Sequence, residues 1–205
     1  MIKIQKNSIK SRFCRFSTMK LQFTKYLILM LALGFFSCKD DVVPKPNSQL
    51  SLEYPTPHYA ALTTNCPFSF EVNSIANAKK NNNCSYEIQY PKMKATVYLT
   101  YKEVHNDIDK LLRDAQNLTY KLHTLKADDI MEQPFINKDK KVYGMFYKVG
   151  GNTATNALFY ATDSTKHFMT GSVYFYAKPN YDSILPATKY VQDDMRRIME
   201  TMSWK

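Results

Sequence analysis

Glycine is scarce in this chain: five in 205 residues. Gly34 lies in an apolar run near the N-terminus, which leaves Gly144, Gly150, Gly151 and Gly171 for everything after it. Phosphate-cradling loops and nucleophile elbows need closely spaced glycines, because the backbone must turn sharply or touch the ligand. These four cannot supply either. Histidine is equally sparse, and His58, His105, His123 and His167 offer no pair at helical spacing to share a metal. His105, Asp107 and Asp109 do gather a histidine and two acids, which the start of a helix accounts for. Asp163, Ser164 and His167 lie close together, but Asp and Ser are ordinary hairpin-turn formers. Long apolar runs are also missing. Tyr26 to Phe36 is eleven residues, well short of the roughly 20 that a membrane-spanning helix needs. The sequence therefore predicts no catalytic residue, no metal and no cofactor.

What is present begins with that short run in its context. Lys20 and Lys25 precede it, and Ser37 and Cys38 follow, then Lys39-Asp40-Asp41. A basic start, a short apolar centre and a small residue are the layout of an export signal. Residues 1–37 read as a signal peptide, translated from Met1 or from Met19, and Cys38 as the lipid-carrying first residue of the mature chain. Lys39-Asp40-Asp41 reads either as an address for the outer face of the outer membrane or as the solvated start of a tether.

This reading disposes of the charge. The formal net charge is +10, but residues 1–38 hold seven basic residues and no acid, leaving 21 basic against 18 acidic residues. A nucleic-acid binder concentrates its basic residues on one face; here lysines are scattered among acids, and nucleic acid is excluded as a partner. The cysteines sort themselves as well. Cys14 leaves with the signal and Cys38 takes lipid, so Cys66 and Cys84 remain. In an exported chain they predict a disulfide, worth roughly 3 kcal/mol for a loop of this length. No neighbouring Cys or His completes a four-ligand metal site.

Residues 38–57 carry Pro44, Pro46, Pro55 and Pro57 among polar residues and read as a semi-rigid stalk. Leu50, Leu52 and Tyr54 alternate, which predicts that its second half docks on the domain as an edge strand. From 58 to 205 one domain is expected. Phe68, Phe70 and Val72 alternate, as do Tyr86, Ile88 and Tyr90, then Ala95, Val97, Leu99 and Tyr101, each the pattern of a half-buried strand. From Ile108 to Leu122 the period becomes helical, with Asn106 as the expected N-cap. Strands follow at 141–149, 156–162 and 167–177, with turns at Gly150-Gly151-Asn152 and Asp163 to Lys166. A last helix carries Val191, Met195, Ile198, Met199 and Met202 as a core stripe. The fold class is α+β: one domain with a mostly antiparallel sheet, and two main helices packed on its apolar face.

The fifteen tyrosines and twelve phenylalanines suit sheet faces; the alternative is an exposed aromatic surface that binds a glycan or lipid. Asp163-Ser164-Thr165 and Asp182-Ser183-Ile184 match a short acceptor pattern for O-glycosylation, at Ser164 and Ser183.

Several phrases then combine in order: Cys66 to Glu71, Tyr90 to Tyr101, Lys126-Ala-Asp, Pro134-Phe-Ile-Asn, Lys141 to Gly144, Gly150-Gly-Asn152, Thr162 to Phe168, Gly171 to Phe175 and Glu200 to Lys205. Following a lipoprotein signal, they resemble the gliding-motility lipoprotein GldD family of Bacteroidetes across the whole mature chain. The long N-terminal extension and the Lys79 to Asn83 loop depart from it. The resemblance implies a non-catalytic cell-envelope lipoprotein required for gliding, part of or accessory to the machinery shared with type IX secretion. Its partners would be other envelope proteins, with the membrane reached through the lipid. The outer membrane is the expected address, with its periplasmic and surface faces both open.

Overall fold

The computed structural model describes residues 53–123, 127–176 and 181–205. Cys38 and most of the stalk lie outside the described residues. In chain order the elements are β1 (Tyr59–Ala61), β2 (Phe68–Ser69), β3 (Glu71–Asn73), β4 (Asn77–Lys80), β5 (Tyr86–Tyr90), β6 (Ala95–Glu103), α1 (Ile108–His123), β7 (Ile130–Asn137), β8 (Val142–Val149), β9 (Ala157–Thr162), β10 (His167–Phe175), α2 (Tyr181–Thr201) and β11 (Ser203–Trp204). Seven strands form one sheet in the order β4-β5-β6-β10-β9-β8-β7. Every neighbouring pair in it is antiparallel. It consists of two meanders, β4–β6 and β7–β10, joined where β10 lies against β6. Two small antiparallel pairs, β1 with β3 and β2 with β11, complete the domain.

The helices occupy opposite faces, which differs from the expectation that both share one. α2 covers the face carrying Tyr86, Ile88, Val97, Leu99, Phe146 and Phe159. Its Val191, Met195, Ile198 and Met199, with Met202 just past its end, are all fully buried there, each worth about 2 kcal/mol in apolar area removed from water. α1 packs on the other face through Leu111 and Ala115, against Phe168 and Tyr160. β9 explains the arrangement. Ala157, Leu158, Phe159, Ala161 and Thr162 are all buried, so the strand has no solvent side and needs cover above and below. Gly171 on β10 is fixed by the same packing: a Cβ there would sit 2.1 Å from the ring of Phe159.

Three local expectations shift. Helix α1 is capped at Asp107, one residue after the expected Asn106. Asn106 takes φ 60°, and the Asp107 carbonyl accepts from Lys110 and Leu111. Residues 53–58 dock through Tyr54 but form no strand; Pro55 and Pro57 lack the N–H a ladder requires. Strand formation starts at Tyr59. The alternating Phe68-Phe70-Val72 stretch is broken at Phe70, with β2 and β3 serving separate small sheets.

The sheet's edges are guarded. β4 is short, exposed and ends in Lys79-Lys80, and β7 carries Pro134. Both are devices that discourage a further strand from pairing.

Candidate functional site

Residues at the N-terminal start of the described chain are tied to a buried acid on α2. Asp194 is 2 % exposed. Tyr59 donates its hydroxyl to Asp194 Oδ1 at 2.6 Å, and Asn73 Nδ2 donates to Oδ2 at 2.9 Å. Asn73 Nδ2 also reaches the Tyr190 hydroxyl at 2.9 Å, and Tyr190 in turn donates to the carbonyl of Pro55 at 2.9 Å. The Tyr54 ring lies 5.4 Å from that of Tyr190. Beside Asp194 the Tyr90 hydroxyl is buried without a well-formed hydrogen bond. Burial pushes the Asp194 carboxyl up from its ordinary value, against the pull of the hydrogen bonds from Tyr59 and Asn73 and of the nearby Tyr90 hydroxyl. Burial also raises Tyr59 and Tyr90, and the adjacent carboxylate adds to it. A cavity of about 570 Å³ opens next to this cluster, lined by Tyr54, Pro55, Ile75, Asn77, Tyr90 and Met93 among others. Asp194 joins β1 and β3 to α2, and Tyr190 of the same helix holds residues 54–55; nothing in the cluster presents a nucleophile to a base.

At the far end of the strands, a polar cleft of about 480 Å³ collects Lys140, Lys141, Lys166 and Lys205 around His167 and Trp204. The His167 ring stacks on Trp204 at 5.1 Å, and its Nδ1 pairs with the Tyr101 hydroxyl at 2.8 Å. The acids Asp139 and Asp163 share this cleft, so its charge is mixed.

A third surface lies on the sheet face beside α1. Tyr98 and Tyr174 meet edge to face at 5.7 Å, and the Tyr98 and Tyr176 hydroxyls are hydrogen-bonded. That bond, with some desolvation, pushes Tyr98 up to about 12.

The residues singled out from sequence are distributed as follows. Cys66 and Cys84 form a disulfide. Ser164 is exposed in the β9–β10 turn with φ 67°, and Ser183 is exposed in the first turn of α2. Cys38 lies outside the described residues. Asp163, Ser164 and His167 do not assemble into a triad. Asp163 Oδ1 accepts the backbone N–H groups of Thr165, Lys166 and His167 at 2.8–3.0 Å, while the His167 ring is engaged by Tyr101. Desolvation opposes the charge on Asp163, but those N–H donors hold its carboxyl down at about 2. His105 and Asp107 serve the helix start, with Asp107 Oδ1 accepting the His105 N–H at 2.9 Å. Among the described residues no three His, Cys, Asp or Glu side chains are grouped to hold a metal.

Sequence reasoning passed over Asp194 and the three tyrosines, though both left a signal. Asp194 is three residues after Val191 and four before Ile198, on the buried stripe of α2. Tyr98 falls on the off-phase of the Ala95-Val97-Leu99-Tyr101 alternation, on the face opposite the core.

A family model described as the gliding motility lipoprotein GldD matches residues 39–204. The chain belongs to this family. The family's name associates it with gliding motility and, as a lipoprotein, with a lipid anchor at the cell envelope. No curated protein matches the chain. No helix among the described residues is long and apolar enough to cross a membrane.

Proposed function

We propose that this protein is a non-catalytic envelope lipoprotein required for gliding, working within or beside the gliding and type IX secretion machinery through protein–protein contacts. The observation that carries this reading is the family match from residue 39 to residue 204, which begins one residue after Cys38. Residues 1–37 are the discarded signal, Cys38 carries the lipid, and residues 38–57 are the tether to a domain spanning 58–205. The anchoring membrane is the outer one. Fourteen residues separate Cys38 from Glu53; a Pro-containing chain of that length can span up to roughly 45 Å.

The test is genetic and biochemical. Deleting the gene in the host should stop colony spreading, the intact gene should restore it, and Cys38→Ala should restore neither spreading nor palmitate labelling. Normal spreading by the deletion strain would sink the motility reading. Labelling that persists in Cys38→Ala would sink the anchor alone.

The same reading makes Ser164 and Ser183 carriers of O-linked sugar, and both are exposed as an acceptor must be. Intact mass of the protein isolated from its own envelope should exceed the mass of the acylated polypeptide. The excess should shrink in Ser164→Ala and Ser183→Ala. An unmodified mass refutes the assignment.

A further inference from the structure

The sheet face that α1 covers is only half covered. Over β8, β9 and β10 it is apolar, with Tyr147, Leu158 and Phe168 buried. Over β5, β6 and the end of β10 its side chains are half exposed, with Thr96 buried between them. The strand register arranges this open half in two rows: Glu87, Tyr98 and Ser172 side by side, then Gln89, Thr96 and Tyr174. Tyr176, just past the end of β10, hydrogen-bonds the Tyr98 hydroxyl and is 62 % exposed, the most exposed aromatic among the described residues.

The composition of these rows matters. Each ring stands beside a carboxylate, an amide or a hydroxyl, so the surface lacks the dry apolar centre that marks the core of a protein–protein interface. The polar groups are also pre-set. Glu87 Oε1 accepts from Asn81 at 2.9 Å and Oε2 from Gln89 at 3.1 Å, which fixes the carboxylate while leaving acceptor capacity on both oxygens. A pyranose ring has the complementary make-up, with C–H faces for aromatic rings and a rim of hydroxyls for carboxylates and amides. A broad sheet surface suits several such units in a row better than one sugar in a pocket.

We propose that the open half of the sheet, centred on Tyr98, Tyr174 and Tyr176, binds a polysaccharide chain of pyranose units. The proposal does not rest on the motility reading, because binding is measured on the purified protein whatever its role in spreading. The experiment is calorimetric titration of the full-length lipoprotein in detergent with chitohexaose and with cellohexaose, up to roughly 10 mM. The first probe represents an N-acetylated wall-type backbone and the second a plain hexose chain, so their comparison identifies the source. At least one should bind with a Kd of about 1 mM or tighter. Tyr176→Ala and Tyr98→Ala should each weaken it about tenfold. Met131→Ala, an exposed apolar change on β7, should leave it unchanged. Tyr176 is exposed enough for its substitution to keep the thermal midpoint, which serves as the folding control. The proposal fails if neither oligosaccharide binds, if binding survives both tyrosine substitutions, or if Met131→Ala abolishes it equally.

Discussion

Replacing Asp194 with alanine is expected to cost the fold about 2–4 kcal/mol, the sum of two hydrogen bonds lost at a buried site. The carboxylate accepts from Tyr59 and Asn73 and has the buried Tyr90 hydroxyl beside it. Removing it strands the Tyr59 hydroxyl and takes one of the two acceptors of Asn73 Nδ2, at about 1–3 kcal/mol for each group left unsatisfied. Chemical denaturation should show a lower midpoint with an unchanged slope. A loss under about 1 kcal/mol would mean that water replaces the carboxylate freely. Asp194→Asn should be milder, since one side-chain oxygen can still accept from Tyr59 while the bond from Asn73 is lost.

The same pair of proteins carries a pH prediction. Burial raises the Asp194 carboxyl in the folded state, so the folded protein holds that proton more tightly than the unfolded chain does. Its contribution is fully present below the unfolded carboxylate's pKa and is lost as pH rises through the folded one. The stability of the parent relative to Asp194→Asn should therefore fall as pH climbs out of the acid range. Asp163 has the opposite sign. With its carboxyl held at about 2, its contribution is present above the unfolded value and lost as pH falls toward 2. Because both proteins retain Asp163, it cancels from the difference.

The second large effect belongs to the disulfide. Cys66→Ser with Cys84→Ser should cost about 3 kcal/mol by releasing a loop of this length in the unfolded chain. For a domain of this size that is a fall of roughly 6–12 °C in thermal midpoint. The bond joins positions 18 apart in sequence, and between them lie β2, β3 and β4. β2 and β3 belong to minor sheets, so the link is what ties their start to the turn leading into β5. Cys66 itself is buried beside the Tyr86 hydroxyl, and a serine there adds a polar group among aromatic rings. A change below 1 °C on substitution would show that β11 and α2 hold this segment without covalent help.

The elements legible in the sequence were those with at least one buried face. β5, β6 and β8 to β10 announce themselves by alternation or apolar density, and α1 and α2 by helical stripes. β7 did not, because its Met131, Glu132, Pro134 and Ile136 are exposed; an edge strand with a proline has no alternation to show. β4 is Asn-Ala-Lys-Lys, exposed throughout, and reads as loop. Helix placement was out of reach for a different reason. Periodicity says that a helix has an apolar stripe, but the side of the sheet it covers depends on the strands, and only the two-sided burial of β9 hinted at it. Asp194 was hidden by its neighbours. Next to Asp193, an acid in a surface-looking helix passes for solvated charge unless its phase in the stripe is counted.

The junction of the two meanders has a consequence for how the chain is made. Residues facing each other across β6 and β10 lie 64 to 80 positions apart in sequence, and α1 with β7 to β9 is strung between them. Contacts this distant form slowly, because a long loop must close before any of them is rewarded. While the first meander emerges, β6 has one edge unmatched, and the methionine stripe that buries its face is still unsynthesised. The core is completed by the last segment to arrive. A polypeptide that must cross a membrane unfolded gains from such an order, since its leading half stays threadable until the trailing helix has come through.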